Sequence, residues 1–119
     1  MARIMVTDDA AFMRMMLKNI LVEGGHEVVA EAENGEQAIE QYEVFKPDVV
    51  TMDITMPILD GIEAVRSIKA KHPDARILMC SAMGQQSMVI EAVKAGANGF
   101  IVKPFDSGKV LSEIERLMG

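Results

Sequence analysis

The chain is poor in the residues that cross-link, stiffen or mark a surface. It has a single cysteine, Cys80, so no internal disulfide can form, and it has no tryptophan. Cys80 sits inside an apolar run, where a free thiol behaves as a small buried hydrophobe. Aromatic bulk is scarce, with one Tyr and four Phe against eleven Met. Pliable methionine then fills much of the core, adaptable partner surfaces being its other use. The four prolines, Pro47, Pro57, Pro73 and Pro104, all stand at breaks between apolar patterns, as expected of a residue that stops helices and strands. No apolar stretch approaches the roughly 18–20 residues that span a bilayer, and none has the pattern of a signal peptide, so a cytoplasmic protein without membrane contact is expected. Positive charge is also short: 12 Lys and Arg face 18 Asp and Glu, a net charge of −6 with no basic cluster. That argues against autonomous binding of nucleic acid, which needs a positive footprint. An acidic metal site, or plain solubility, remains open.

What is present is alternation. At 119 residues, half of them hydrophobic, the chain has the length of one domain and can bury a sizeable core. Short apolar runs that suit strands buried on both faces alternate with stretches of helical period. Strands are predicted over Arg3 to Thr7, Glu27 to Ala32, Val49 to Asp53, Ala75 to Ser81 and Gly99 to Val102. Helices are predicted from Ala10 to Glu23, from the Asn34 cap to Phe45, from Asp60-Gly61 to His72, from Gln85 to Ala95, and from a cap at Asp106 or Ser107 onwards. Asp8 or Asp9 would cap the first helix, and Asn34 with Gln37 resembles a capping box. Expected core positions include Met13, Met16, Leu17 and Ile20 in the first helix, Ala38, Ile39, Tyr42 and Phe45 in the second, and Ile62, Val65 and Ile68 in the third. Val89, Ala92 and Val93 are expected to face inward in the fourth, and Val110, Leu111, Ile114 and Leu117 in the fifth. His26 and His72 flank turns and read as surface residues without a metal role.

Five βα units in strict alternation imply an α/β fold, a doubly wound parallel five-stranded sheet with helices on both faces and right-handed crossovers. Glu27 and Glu31 make the second strand polar, which suits a sheet edge. The order 2-1-3-4-5, one of two common doubly wound arrangements, puts it there.

Four runs end in polar groups at what would be one sheet edge: Asp8-Asp9, Asp53, Ser81 and Lys103. Each alone has a plain reading as a cap, a turn residue or a solvated charge. Together they lie where open α/β sheets bind ligands. In the 2-1-3-4-5 order the first and third strands are neighbours, so Asp8, Asp9 and Asp53 meet. Two unit charges about 4 Å apart repel by roughly 4 kcal/mol at an effective dielectric near 20. A raised carboxylate pKa, a cation such as Lys103 or a divalent metal must offset this. An oxygen-only cluster suits Mg²⁺. Carboxylates, a lysine and a hydroxyl are the parts of phosphoryl transfer, with one carboxylate attacking in line.

The motifs Thr7-Asp8-Asp9, Met52-Asp53-Ile54-Thr55-Met56-Pro57 with Asp60-Gly61, Cys80-Ser81-Ala82 and Lys103-Pro104-Phe105 resemble those of response-regulator receiver domains, over the whole chain. The stretches Asp9 to Met16 and Cys80 to Ile90 look like the CheY-type chemotaxis regulators of Gram-positive bacteria, deep-branching bacteria and motile archaea. The resemblance implies the flavodoxin- and CheY-like fold and a single receiver domain over residues 1–119, with no output domain. It implies a phospho-acceptor switch rather than an enzyme, with Asp53 as the acceptor. Mg²⁺ would be held by Asp9, Asp53 and the backbone carbonyl of Thr55, with Asp8 acting through a metal-bound water. Ser81, Ala82 and Lys103 would bind the phosphoryl group, the Lys103-Pro104 bond would be cis, and Phe100 would turn inward as Ser81 shifts. Met88 and Ile90 would belong to a partner surface. The implied partners are a chemotaxis histidine kinase, a flagellar motor switch protein or an archaellum adaptor, and an aspartyl-phosphate phosphatase; the expected state is a monomer. Thr7 departs from the aliphatic residue common in that position, and Phe100 replaces the more familiar Tyr. Thr55 and Met83 occupy positions that tune dephosphorylation in the family. Neither orients water well, so slow to moderate dephosphorylation is expected. Three rivals stand beside this reading. A Mg²⁺-dependent aspartyl phosphatase would want Asp-x-Asp, where Asp53 is followed by Ile54-Thr55. A flavin mononucleotide binder would want a glycine- and hydroxyl-rich loop after the first strand. A non-motility receiver differs only in the longer stretches.

Overall fold

The computed structural model describes all residues from Met1 to Gly119. The strands are β1 (Arg3–Thr7), β2 (Glu27–Ala32), β3 (Val49–Asp53), β4 (Ile77–Ser81) and β5 (Gly99–Val102). They form one five-stranded sheet in the order β2-β1-β3-β4-β5, every pair parallel. The helices are α1 (Ala11–Glu23), α2 (Gly35–Phe45), α3 (Gly61–Lys71), α4 (Gln86–Ala95) and α5 (Ser107–Met118). The polar strand β2 lies at an edge, as its glutamates require, while β3 and β4 are buried along their whole length.

Strand alternation sorts the core into two layers, because successive side chains point to opposite faces. Met5, Val50, Met52, Ile77 and Met79 pack under α2, α3 and α4, in a cluster of 18 buried residues. Ile4, Val6, Val49, Leu78 and Ile101 pack under α1 and α5, in a cluster of 11. Methionine is core filler on the first face: Met5, Met52 and Met79 are fully buried.

Some elements differ from the expectations. The N-cap of α1 is Ala10, with no side-chain cap; Asp8 instead turns back to its own loop, its Oδ1 accepting the Ala10 N–H at 2.9 Å. Strand β4 starts at Ile77, because the Ile77 N–H is taken by the Asn98 side chain at 2.9 Å and the chain before it is a turn. Phe45 is exposed: it closes α2, where its carbonyl accepts from the Arg3 guanidinium at 2.8 Å. Val93 is exposed because α4 adheres along a narrow stripe, Val89 and Ala92. The same narrow seat leaves Met88 and Ile90 exposed. Asn34 and Asp106 cap their helices as predicted, and Asp60 caps α3, each accepting a backbone N–H three residues on. His26 accepts the Ala2 N–H at 3.0 Å, and His72 lies 2.7 Å from Glu43. No helix is long and apolar enough to cross a membrane.

Candidate functional site

The carboxyl edge of the sheet gathers the acidic residues. Asp8 follows β1, and its N–H donates to Ala32 at the end of β2. The Arg14 guanidinium donates to the Asp8 carbonyl at 2.6 Å. Asp53 is the last residue of β3 and lies opposite Cys80 of β4. One carboxylate oxygen from each of Asp8, Asp9 and Asp53 lies within 4.8 Å of the others. Asp8 and Asp53 are buried, and Asp9 is exposed. An all-oxygen set that is half open to solvent fits a hard divalent cation such as Mg²⁺, which keeps several of its waters.

The crowding is visible in the chemistry of Asp53. Burial, and then the charge of Asp8, push its pKa up to about 6 against an ordinary 3.8, while Lys103 and the Ile54 N–H pull the other way. The Lys103 Nζ donates to Asp8 Oδ2 at 2.9 Å and to Asp53 Oδ1 at 3.3 Å. Burial works against the Lys103 charge, but the bond to Asp8 and the charges of Asp53 and Asp8 outweigh it and hold the pKa above the ordinary lysine value. Lys103 is held by its backbone, since its N–H donates to the Ser81 carbonyl at 2.8 Å. The Lys103-Pro104 bond is cis. Ser81 is buried at the end of β4, its hydroxyl donating across 3.5 Å to Ile101.

Two glycines set the floor of the site by close approach. A Cβ on Gly61 would collide with the Asp53 carbonyl oxygen, and one on Gly35 would meet the Leu59 carbonyl oxygen at 2.5 Å. Both N–H groups donate into the same loop, Gly61 to Ile54 at 2.8 Å and Gly35 to Leu59 at 2.9 Å. The β3–α3 loop is thereby clamped at both ends. Between the clamps, Ile58 takes a φ of +68°, a conformation that a β-branched residue adopts only under constraint.

Of the residues singled out from sequence, Asp8, Asp9, Asp53, Lys103, Ser81, Ala82 and Thr55 meet at this edge. Phe100 is at the next layer out, on β5, with its ring half exposed. It lines a groove of about 750 Å³ between β5 and α5, together with Met83, Val102, Pro104 and Lys109. Met88 and Ile90 are exposed on α4. One residue escaped the sequence reading. Gln85 bridges the β4–α4 loop to Thr55, by an Ala82 N–H to Oε1 bond of 2.6 Å and an Nε2 to Thr55 Oγ1 bond of 3.3 Å. Its spacing from Ala82, like that of a capping-box glutamine, was the available signal.

Comparison with known proteins agrees with this arrangement. Residues 4–115 match the family described as response regulator receiver domain. The chain is 63% identical to the chemotaxis protein CheY of Bacillus subtilis, over 98% of this chain and 97% of that protein. It is 56% identical to the chemotaxis protein CheY of Thermotoga maritima, over 97% and 96% respectively. Among solved structures it is similar to a CheX–CheY–BeF3–Mg²⁺ complex from Borrelia burgdorferi, with a TM-score of 0.93 and 34% identity, covering 98% of this chain and 89% of that one.

Proposed function

The chain belongs to the response regulator receiver domain family, as a CheY-type member, and from that premise we propose that it is a chemotaxis switch phosphorylated on Asp53. The observation that carries this is the pairing of a buried carboxylate of raised pKa with two further carboxylates and one lysine. Such a group is ionised at neutral pH yet poorly solvated, which suits a nucleophile. Asp53 attacks the phosphorus of a phosphohistidine on a chemotaxis histidine kinase. An O–P bond forms, the donor's N–P bond breaks, and the electron pair stays with the histidine nitrogen. Asp8, Asp9, Asp53 and the Thr55 carbonyl would hold Mg²⁺, which when bound offsets the charge on the reacting oxygens. Lys103 keeps its ammonium beside the new acyl phosphate, and Ser81 and Ala82 supply neutral donors.

The phosphoryl group brings close to two negative charges to a site already short of positive ones. Ser81 and the loop after it are drawn towards it, and space opens behind Ser81 for the Phe100 ring. The exposed surface of α4, β5 and α5, with Met88 and Ile90, changes shape and binds a motility-motor component: a flagellar switch protein, or an archaellum adaptor. The unphosphorylated protein samples the active shape as a minor state. Hydrolysis returns Asp53 to a carboxylate and releases inorganic phosphate; Thr55 and Met83 orient water poorly, so the spontaneous step is slow to moderate. An aspartyl-phosphate phosphatase would then complete the cycle; the similar CheY of Borrelia burgdorferi is itself held in complex with a second protein, CheX.

Incubation with acetyl phosphate and Mg²⁺, followed by intact mass, tests the chemistry. One added phosphoryl group, absent in Asp53→Ala and in chelator, is the expected result. No gain by the folded protein, together with no response to beryllofluoride, would overturn it.

A further inference from the structure

Gln85 ties together two loops at the carboxyl edge of the sheet. It stands just before α4, and Gly84, at a φ of +88°, turns the chain so that the Gln85 side chain reaches back. Its Oε1 accepts the Ala82 N–H at 2.6 Å, and its Nε2 donates to Thr55 Oγ1 at 3.3 Å. The two partners belong to different loops, Ala82 just beyond β4 and Thr55 just beyond Asp53 at the end of β3. The donors that face a new anion on Asp53 are few. Lys103 Nζ is already on the carboxylate, and the Ser81 hydroxyl makes only a long bond to Ile101. Ala82 is the first residue beyond β4, and its N–H is bonded to the Gln85 side chain, not to a strand.

We propose that Gln85 is a latch of the unphosphorylated state, a positioning residue that occupies the Ala82 N–H and ties the β4–α4 loop to Thr55. The proposal rests on the assignment of Asp53 as phosphoryl acceptor. An incoming phosphoryl oxygen displaces the Gln85 carbonyl from Ala82, because a charge-assisted hydrogen bond outweighs a neutral one. Displacement also frees Gln85 from Thr55, so the loop after Ser81 is released at the moment Ser81 is drawn inward. The cost of breaking the latch is subtracted from the affinity of the site for the anion, so the latch sets the threshold at which the switch turns.

A titration of the full chain with beryllofluoride at fixed Mg²⁺, followed by the amide NMR signals of Ala82 and Thr55, tests this. In Gln85→Ala the Ala82 amide should lose the downfield shift and small temperature coefficient of a hydrogen-bonded group. The midpoint should fall about fivefold, the effect of one net hydrogen bond on an equilibrium constant. Thr55→Val, which keeps the backbone carbonyl and removes one anchor, should lower the midpoint by less. An unchanged or raised midpoint in both variants, with wild type binding normally, would overturn the latch and leave the acceptor assignment standing; a lower melting temperature alone would show Gln85 to be a loop cap. Failure of the wild type to bind beryllofluoride would overturn the acceptor assignment and the latch with it.

Discussion

Lys103 and Asp53 are 50 residues apart in the chain and 3.3 Å apart in space. The ammonium lies between two buried carboxylates, so it is the charge that makes their proximity tolerable. Removing one partner of a buried set leaves an uncompensated charge, which costs several kcal/mol. The Lys103 side chain keeps some contact with solvent, which reduces that figure. Lys103→Met is expected to lose about 2 kcal/mol of stability at pH 7.5 in chelator. Denaturant unfolding measures this. Mg²⁺, a replacement cation, should restore much of the loss, and Asp8→Asn in the same chain should do so without metal. Equal stability of Lys103→Met and wild type in chelator would show that solvent already screens the pair.

The raised pKa of Asp53 carries a sign. Its value of about 6 in the folded protein exceeds the ordinary 3.8, so the folded state holds this proton more tightly than the unfolded state. Stability of the metal-free protein therefore suffers fully above about pH 6, and the penalty fades as the pH falls towards 4. At about 1.4 kcal/mol per unit the penalty is about 3 kcal/mol. Asp53→Asn removes it. In chelator at pH 7.5 that variant should melt roughly 10 °C above wild type, and the two should converge near pH 4. Because the remaining carboxylates are common to both proteins, the difference between the curves reports Asp53. A gap that does not shrink with pH would assign the gain to something other than its charge.

Gly61 reverses the usual effect of replacing glycine in a helix. Alanine normally gains about 1 kcal/mol there. At position 61 the added Cβ would run into the Asp53 carbonyl oxygen and the backbone of Asp53 and Ile54. Either the end of β3 or the start of α3 must move. Gly61→Ala is expected to lose about 3 kcal/mol and, where it still folds, to accept phosphoryl groups poorly, because Asp53 is displaced. Gly108→Ala is the control. Its Cβ would meet only Asp106 Oδ1, at 3.3 Å, so it should be neutral or mildly stabilising. Calorimetry of both variants decides.

Much of this was legible before any coordinates, and the reasons are physical. Strand period and chain breaks fix which apolar runs end together, so the meeting of Asp8, Asp53, Ser81 and Lys103 at one edge follows from alternation and topology. The polar β2 at the sheet edge follows from Glu27 and Glu31. What sequence could not give are contacts that depend on distances of a few ångströms. Asp60-Gly61 reads as the opening of a helix, yet Gly61 is also there for close approach to β3. Helical period places Val93 with Val89, but α4 seats on so narrow a stripe that one step around the helix reaches solvent. Asp8 has the chemistry of an N-cap, but its carboxylate accepts from Ala10 and Lys103 instead. The buried, unpaired hydroxyls of Thr7 and Thr51 leave no trace in pattern, since threonine suits a strand in either case.

Phe100 supplies the most direct view of switching. Its ring is half exposed on β5 beside the groove formed with α5. On the switch proposed above, this ring is expected to move into the space that Ser81 leaves, passing from solvent to a packed interior. Fluorine NMR of protein labelled with 4-fluorophenylalanine follows it; Phe100→Leu assigns the signal among the four phenylalanines. Beryllofluoride with Mg²⁺ should shift the Phe100 resonance and narrow its accessibility to a solvent paramagnetic agent, while Phe45, exposed at the end of α2, stays unchanged. Ser81→Ala should still bind the anion, through Lys103, but leave the Phe100 signal at or near its resting position. If the ring moves equally in Ser81→Ala, the motion is driven by the loop and not by the serine. If it does not move in wild type at saturation, the coupling between Asp53 and the α4–β5–α5 surface runs through α4 alone, and Met88 and Ile90 become the positions to label.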